Sequence, residues 1–381
     1  MGHTDFPHLL AREYSVPLED VRRIAAETLA PIAARGEPGR VNRPLLSALA
    51  EQGLLSQIFP RELGGTAITV SAGKLCLLRE GLAGGSTHAE TAFALQGLGS
   101  YPILQSGSSE LRSRWIPEVA AGRAVAGFAL TEPDAGSDPA SLELAAEKVD
   151  GGYRLTGAKK WISNAPQADV YSIFVRTTPG AGARGITAFA LAGDAPGVGG
   201  RSLDLLEPHA IGTLELDGAF VGHDSILGEV DGGFAVAMRT LDLFRPSVGA
   251  FAVGMAQAAL DAAIAHAGER RSFGKELRDL QGVSHQLAEA AVRTKAARLL
   301  VYDAAAAYDA GERVTKGAAM AKLYATETAQ YVIDTALQIH GAQGLERGHL
   351  LEHLYRAVRA TRIYEGTSEI QREIIARELY R

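Results

Sequence analysis

A chain of 381 residues is long enough for two or three domains, and its 46% hydrophobic and 22% charged content is ordinary for a globular protein. A formal net charge of -6 supplies no basic field, which argues against a nucleic-acid partner. The one cysteine, Cys76, excludes an internal disulfide and a cysteine-rich metal site; between Leu75 and Leu77 it reads as a buried structural thiol, and no metal site is expected. No apolar run reaches the length needed to span a bilayer, and no basic-then-apolar segment opens the chain. The expected location is therefore cytoplasmic, with no membrane partner.

Three blocks follow in chain order. Residues 1–122 carry helical spacing. Val21, Ile24, Ala25, Thr28 and Leu29 form one stripe before Pro31, and Leu45, Leu46, Leu49 and Ala50 form another before Gly53. A turn at 59–65 precedes two mostly apolar helices around 75–82 and 91–98. Over 123–231 the period changes to two. Asp150-Gly151 before an alternating run is a hairpin signal, and 170–177, 185–191 and 213–220 are strand candidates, so an antiparallel β domain is expected. From 232 to 381 alanine-rich helical patterns return, over 246–266, 283–310 and 316–340 and through a last helix, with breaks at 270–274 and 341–344. Long helices with short connections indicate an up-down bundle.

Three stretches can carry chemistry. RIYEGTSEIQ at 362–371 reads as a helix end, a loop and a new helix. Gly366 allows a sharp turn at positive φ, Ser368 and Gln371 fit a capping box, and Ile370, Ile374, Ile375 and Leu379 form an apolar stripe. Glu365 is then either a general base held between two helices or a solvated loop glutamate. TEPDAGSD at 131–138 offers backbone N–H and hydroxyl groups to a ligand, or is only a turn. KKWISN at 159–164 places an aromatic face and a hydroxyl beside a flat ring, or buries Trp161 in a core.

Taken with RRSFGK at 270–275, these stretches, in this order from the Gly64-Gly65 turn to the C-terminus, resemble the acyl-CoA dehydrogenase family. The resemblance implies an α+β fold: an N-terminal helical domain (1–122), a middle antiparallel β-barrel or sandwich domain (123–231) and a C-terminal four-helix bundle (232–381). It implies an oxidoreductase acting on a CH–CH group, with FAD held between the middle domain and the C-terminal helices. Phe128, Leu130 and Thr131 match positions beside the isoalloxazine ring, and Trp161 and Ser163 match positions on its other side. Arg270, Ser272 and Phe273 match contacts to the FAD pyrophosphate of a neighbouring subunit. Gln281, Gln338, Gly341 and Gly344 match contacts toward its adenosine end, and Thr367 and Glu369 match flavin contacts. Ser137 matches an acyl-pantetheine contact, and Asp242 and Arg245 match positions that hold the pantetheine or order the base.

The implied reaction is α,β-dehydrogenation of an acyl thioester to the trans-2-enoyl thioester. Glu365 would take the α-proton, its backbone N–H would hold the thioester carbonyl beside Tyr364 and Gly366, and the β-hydrogen would leave as hydride to flavin N5. Relatives that place the base on another helix have an acid where this chain has Phe244, which leaves Glu365 as the base the pattern offers. Two departures bear on the substrate. Glu207-Pro208-His209 replaces a basic, glycine-rich run expected near CoA, so the carrier is open between CoA and an acyl carrier protein. Arg79-Glu80 stands where an acidic pair is usual, and His88 and Glu90 are polar where the acyl pocket is expected; they meet a functionalised acyl chain, face solvent or make buried hydrogen bonds. The implied partners are an electron-transferring flavoprotein and further copies of the chain, in a homotetramer built as a dimer of dimers. The competing expectations are an acyl-CoA oxidase or flavin hydroxylase on the same fold, and a non-catalytic acyl-thioester-binding protein.

Overall fold

The computed structural model describes residues 17–381; residues 1–16 of the expected N-terminal helical domain lie outside the described part. Helix α1 (Leu18–Ile24) runs through a π-helical turn at Ala25–Leu29 into α2 (Ala30–Ala33). Pro31 therefore lies inside the helix instead of ending it: the π turn widens the backbone where the proline ring and its missing N–H would otherwise disrupt the ladder. Helices α3 (Arg43–Glu51), α4 (Ala72–Gly85), α5 (Thr87–Ser106) and α6 (Ser109–Ala120) follow. The side chains of Asn42, Ser71 and Ser108 accept the third N–H of α3, α4 and α6, which fixes where those helices start.

The chain divides into two compact units, each assembled from separated segments. One comprises 31–70 and 91–241. Its sheet holds β1 (Ala126–Ala129), β2 (Ala145–Val149), β3 (Gly152–Ser163), β4 (Val170–Arg176), β5 (Ile186–Ala192), β6 (Val198–Gly199) and β7 (Ile211–Gly222). The order is β1-β4-β2-β3-β7-β6, with β5 on β4. Asp150-Gly151 closes the β2–β3 hairpin as expected, with Gly151 at φ 78°. One expectation needs correcting. The sheet is mixed, because β1 pairs parallel with β4, and Ala145 of β2 pairs parallel with Arg176. β1 enters from a helix and not from a hairpin, so no turn forces it antiparallel. Strands β4 and β5 are buried on nearly every residue, so their sequences run apolar without the alternation of a one-sided strand.

The other unit comprises 17–30, 71–90 and 242–381. It contains most of α7 (Gly233–Glu269), the ribbon β8 (Arg271–Ser272) and β9 (Lys275–Glu276), and the helices α8 (Gln281–Asp309), α9 (Thr315–His340), α10 (Leu350–Thr361) and α11 (Ser368–Leu379). Helix α9 packs against α8, α10 and α11. Pro246 lies within α7, which begins earlier than the sequence pattern suggested. By length and composition α7 is apolar enough to cross a membrane, contrary to the sequence reading, but most of its apolar stretch is buried inside the fold as a core helix. Small residues let the helices approach closely. A Cβ on Gly254 would lie 2.4 Å from the Glu80 carbonyl oxygen, so α4 and α7 meet nearly backbone to backbone. Alanine is the better helix former by about 1 kcal/mol, but the neighbour here is main chain and cannot step aside. Gly254→Ala is expected to destabilise by about 1–3 kcal/mol, read as a lower midpoint in urea.

Candidate active site

The six-residue link between α10 and α11 carries Glu365, and its backbone is unusual. Glu365 sits at φ 52° and Gly366 at φ 93°, two consecutive left-handed residues of which one has a Cβ. Side chains from three helices hold them there. The Glu365 carbonyl accepts from Arg245 Nε of α7 (3.3 Å) and Gln371 Nε2 of α11 (3.2 Å). The Gly366 carbonyl accepts from Lys322 Nζ of α9 (2.7 Å) and again from Gln371 Nε2 (2.9 Å). The expected capping box is not formed. Thr367 is the N-cap of α11 and accepts from the Ile370 N–H, while Ser368, one position on, donates to Glu327 (2.6 Å). The turn is one residue shorter than the pattern allowed for, and Gln371 faces the loop carbonyls instead of the cap. Ile374 is buried as expected, but Leu379 is exposed, so the stripe on α11 is shorter than read.

Glu365 is not a solvated loop residue. Its Oε2 is buried and has no hydrogen-bond partner among the described residues. Burial pushes the carboxyl above the usual carboxylate range, against the opposing pull of Arg79, Lys322 and Arg245. Arg245 is buried and pairs with Asp242 at 3.6 Å, so it is no surface arginine, and Asp242 lies well inside α7. Glu90 and Arg79 form a buried ion pair, and Arg79 also donates to Ser247 (2.7 Å); of the options open for Glu90, buried bonding is the one realised. The adjacent Glu80 turns elsewhere, to Arg298 (2.7 Å) and Tyr302 (2.9 Å) of α8. Tyr364 lies in the same field; burial first, then Glu90, pushes its hydroxyl up. The N–H groups of Glu365, Gly366 and Thr367 have no acceptor among the described residues.

A second group forms on the sheet unit. The Lys160 N–H donates to the Thr131 carbonyl (3.0 Å), which puts the segment after β1 beside the end of β3. A register shift between Lys159 and Ile162 bulges β3 and turns Trp161 out at φ 55°. Trp161 is 44% exposed with the Lys160 ammonium over its ring, so it is not a core tryptophan. The hydroxyls of Thr131 and Ser163 have no partner among the described residues. Phe128 and Leu130 flank this edge, and Ser137 is exposed on the following loop. Glu132, inside the same motif, faces inward. It accepts from Lys159 Nζ (2.7 Å) and from the N–H groups of Glu143 (2.7 Å) and Leu144 (3.0 Å).

The third group gathers where α7 and α9 end. His266 of α7 stacks on His340 of α9 at 4.1 Å, which brings Arg270 and the β8–β9 ribbon near the turn at 341–344. Phe273 and Gly274 close the ribbon at φ 52° and 75°, the signs of a type I′ turn, and the phenyl ring is 91% exposed. Gln281 and Gln338 are exposed, and Gly341 is at φ 62°. Gln338 lies sixteen residues beyond Lys322 on α9, about 24 Å at 1.5 Å per residue, so this group stands apart from Glu365. Thr367 and Glu369 belong with the Glu365 loop, Glu369 exposed in the first turn of α11.

Three family models match in succession along the chain: the acyl-CoA dehydrogenase N-terminal domain over residues 13–123, the middle domain over 127–217 and the C-terminal domain over 231–380. The chain belongs to the acyl-CoA dehydrogenase family. Its members are FAD-dependent oxidoreductases, and this chain has their architecture of N-terminal helices, curled middle sheet and C-terminal helices. It is 36% identical over 373 residues to cyclohexane-1-carbonyl-CoA dehydrogenase of Geobacter metallireducens, covering 97% of this chain and 98% of the relative. Among solved structures it is similar to butyryl-CoA dehydrogenase of Megasphaera elsdenii (TM-score 0.90, 32% identity, 96% and 98% covered). It is also similar to a prolyl acyl-carrier-protein oxidase (TM-score 0.89, 28% identity, 95% and 97% covered).

Sequence reasoning missed Lys322, Gln371, the Arg79–Glu90 pair as a unit, and the inward Glu132–Lys159 pair. Lys322 had a signal: it is a lone charge on a face otherwise made of Ala318, Ala319, Ala325 and Thr326, all buried. A lysine on such a face needs an acceptor, and a loop carbonyl is what it finds.

Proposed function

We propose that this protein dehydrogenates an acyl thioester at the α,β position, with Glu365 as the base. The observation that carries the reading is a carboxylate with an unpartnered buried oxygen, raised in pKa, on a loop clamped by three helices. A base needs that combination: a pKa drawn toward neutrality and a fixed direction of approach. Glu365 takes the α-proton on its free oxygen, leaving the electron pair on the α-carbon and the thioester oxygen. The unpaired N–H groups of Glu365, Gly366 and Thr367, successive along a left-handed turn, are donors suited to the charge that develops on that oxygen.

The free hydroxyls of Thr131 and Ser163 beside the exposed Trp161 fit a flat polar-edged ring, and the arginine ribbon and glycine turn near Arg270 fit a pyrophosphate. Thr131, Trp161 and Ser163, with Phe128, Leu130, Thr367 and Glu369, would hold the flavin end of FAD. Arg270, Ser272, Phe273, Gln281, Gln338, Gly341 and Gly344 would hold the other end in a neighbouring copy of the chain. FAD, when bound, supplies the acceptor for the β-hydrogen and its electron pair. Ser137, Asp242, Arg245, Tyr364 and Gly366 are assigned to the substrate side, Arg245 through the base loop. A phenyl ring left 91% exposed on a left-handed turn supports assembly into a homotetramer. An electron-transferring flavoprotein is the proposed acceptor, and the cytoplasm the proposed location.

Anaerobic titration of the holoenzyme with cyclohexane-1-carbonyl-CoA, butyryl-CoA and glutaryl-CoA, and with the same groups on an acyl carrier protein, tests the reading. Flavin bleaching with release of the 2-enoyl thioester is expected with at least one of them, and slow reoxidation in air. Rapid peroxide formation would favour the oxidase, for which similarity to an acyl-carrier-protein oxidase is the supporting observation. A protein that binds these thioesters without bleaching is a binding protein and overturns the proposal.

A further inference from the structure

We propose that Lys322 is a positioning residue for the base: its ammonium, bound to the Gly366 carbonyl, orients the loop peptides and supplies part of the positive field that keeps Glu365 ionised. The inference rests on Glu365 being the base, and its test separates the two.

The Lys322 side chain is fully buried, and its one bonded partner among the described residues is the Gly366 carbonyl at 2.7 Å, the shortest of the four contacts on the two loop carbonyls. A trans peptide points its N–H opposite its C=O. Pulling the Gly366 carbonyl toward α9 therefore turns the Thr367 N–H outward, and fixing the Glu365 carbonyl does the same for the Gly366 N–H. Lys322 and Gln371 share the first task; Arg245 and Gln371 share the second. Removing the ammonium leaves the Gly366 carbonyl with Gln371 alone, beneath a turn with Glu365 in a left-handed conformation that the chain would otherwise relax.

The groups that face Lys322 are Glu365 on the loop, Arg245 on α7, Glu327 on its own helix and Glu369 on α11. The groups that face Glu365 are Arg79 on α4, Lys322 on α9 and Arg245 on α7. Two of those three cations already have acidic partners, since Arg79 pairs with Glu90 and Arg245 with Asp242. Lys322 makes no ion pair of its own within 4 Å among the described residues, and Glu365 is the acid that acts on it most strongly. Burial draws Lys322 down to about 8, which still leaves it mostly protonated at pH 7.

The test compares wild-type holoenzyme with Lys322→Met, which removes donor and charge at nearly constant length, and Lys322→Arg, which keeps the charge. The readout is the pH dependence of anaerobic flavin bleaching by butyryl-CoA and cyclohexane-1-carbonyl-CoA, with urea midpoints measured alongside. In Lys322→Met the acidic limb is expected to move up by about one unit or more, because an opposite charge near a carboxylate has been lost. The maximal rate is expected to fall roughly tenfold or more as the loop loosens. Lys322→Arg is expected to keep the limb while losing rate through its bulk. A purely structural lysine would lower the urea midpoint and leave the limb where it is, which overturns the proposal. If Lys322→Met does not fold, Lys322→Gln carries the same charge test. Should Glu365→Gln bleach at the wild-type rate, the base assignment fails; should it be inert while the Lys322 limb stays fixed, only the role of Lys322 fails.

Discussion

Glu365→Gln is expected to abolish flavin reduction by acyl thioesters, slowing it by about 10²–10⁴-fold while leaving the cofactor and the ligand bound. Oε2 has no partner to lose, so the amide breaks no hydrogen bond there. The clamp acts on the Glu365 and Gly366 carbonyls and not on the side chain, so the loop is expected to keep its shape. The variant should also be no less stable than wild type near neutral pH, and the sign follows from linkage. The Glu365 pKa is raised in the folded state, so the folded protein holds that proton more tightly than the unfolded chain. Its contribution to stability is complete below the unfolded value and is lost as pH rises through the folded one. Glutamine removes that loss. A Glu365→Gln protein that reduces its flavin at the wild-type rate would take Glu365 out of the reaction.

Glu132→Ala is the substitution expected to cost most in stability, about 3–5 kcal/mol, because it strips a buried cation of its counter-charge. Lys159 is fully buried and Glu132 is its salt-bridge partner; two backbone N–H groups, on Glu143 and Leu144, lose their acceptor as well. A pH signature distinguishes this from ordinary loss of packing. Burial lowers Lys159 to about 8, against the pull of Glu132 in the other direction. Between that value and the unfolded one near 10.5 the unfolded chain binds the proton and the folded protein does not, so stability contributed by this group rises with pH. Without Glu132 the folded value drops further and the window opens at lower pH. The destabilisation is therefore expected to be smaller at pH 9 than at pH 7 in urea melts. An effect of equal size at both would assign it to packing alone.

The two predictions show where sequence reading reached and where it stopped. Strands β4, β5 and β7, the hairpin at Asp150-Gly151 and the helices α8 and α9 were legible because local chemistry decides them. Glu365 was legible as a candidate for the same reason: a glycine follows it and a helix start follows that. What clamps the Glu365 loop was legible only at Arg245, through the family resemblance; Lys322 and Gln371 come from two other helices and meet the loop only after packing. The TEPD motif was legible in part. Its loop does present Thr131, but its acid turns inward, and nothing in the run of letters says which way Glu132 points. Trp161 shows the converse. A tryptophan in a strand reads as core, and a single bulge with positive φ puts it outside. Parallel pairing of β1 was invisible too, because strand direction depends on where the chain arrives from.

A carboxylate whose peptide is pinned on one side has a direction as well as a basicity. Acting as the proposed base, it would approach an acyl chain from one flank and meet one of the two α-hydrogens, which are mirror-related in a flexible thioester but not in a fixed slot. On that reading the carbonyl clamp sets the handedness of proton loss: a substrate carrying deuterium at one prochiral α-position is expected to surrender it, and its mirror-labelled twin to carry the label through into the alkene.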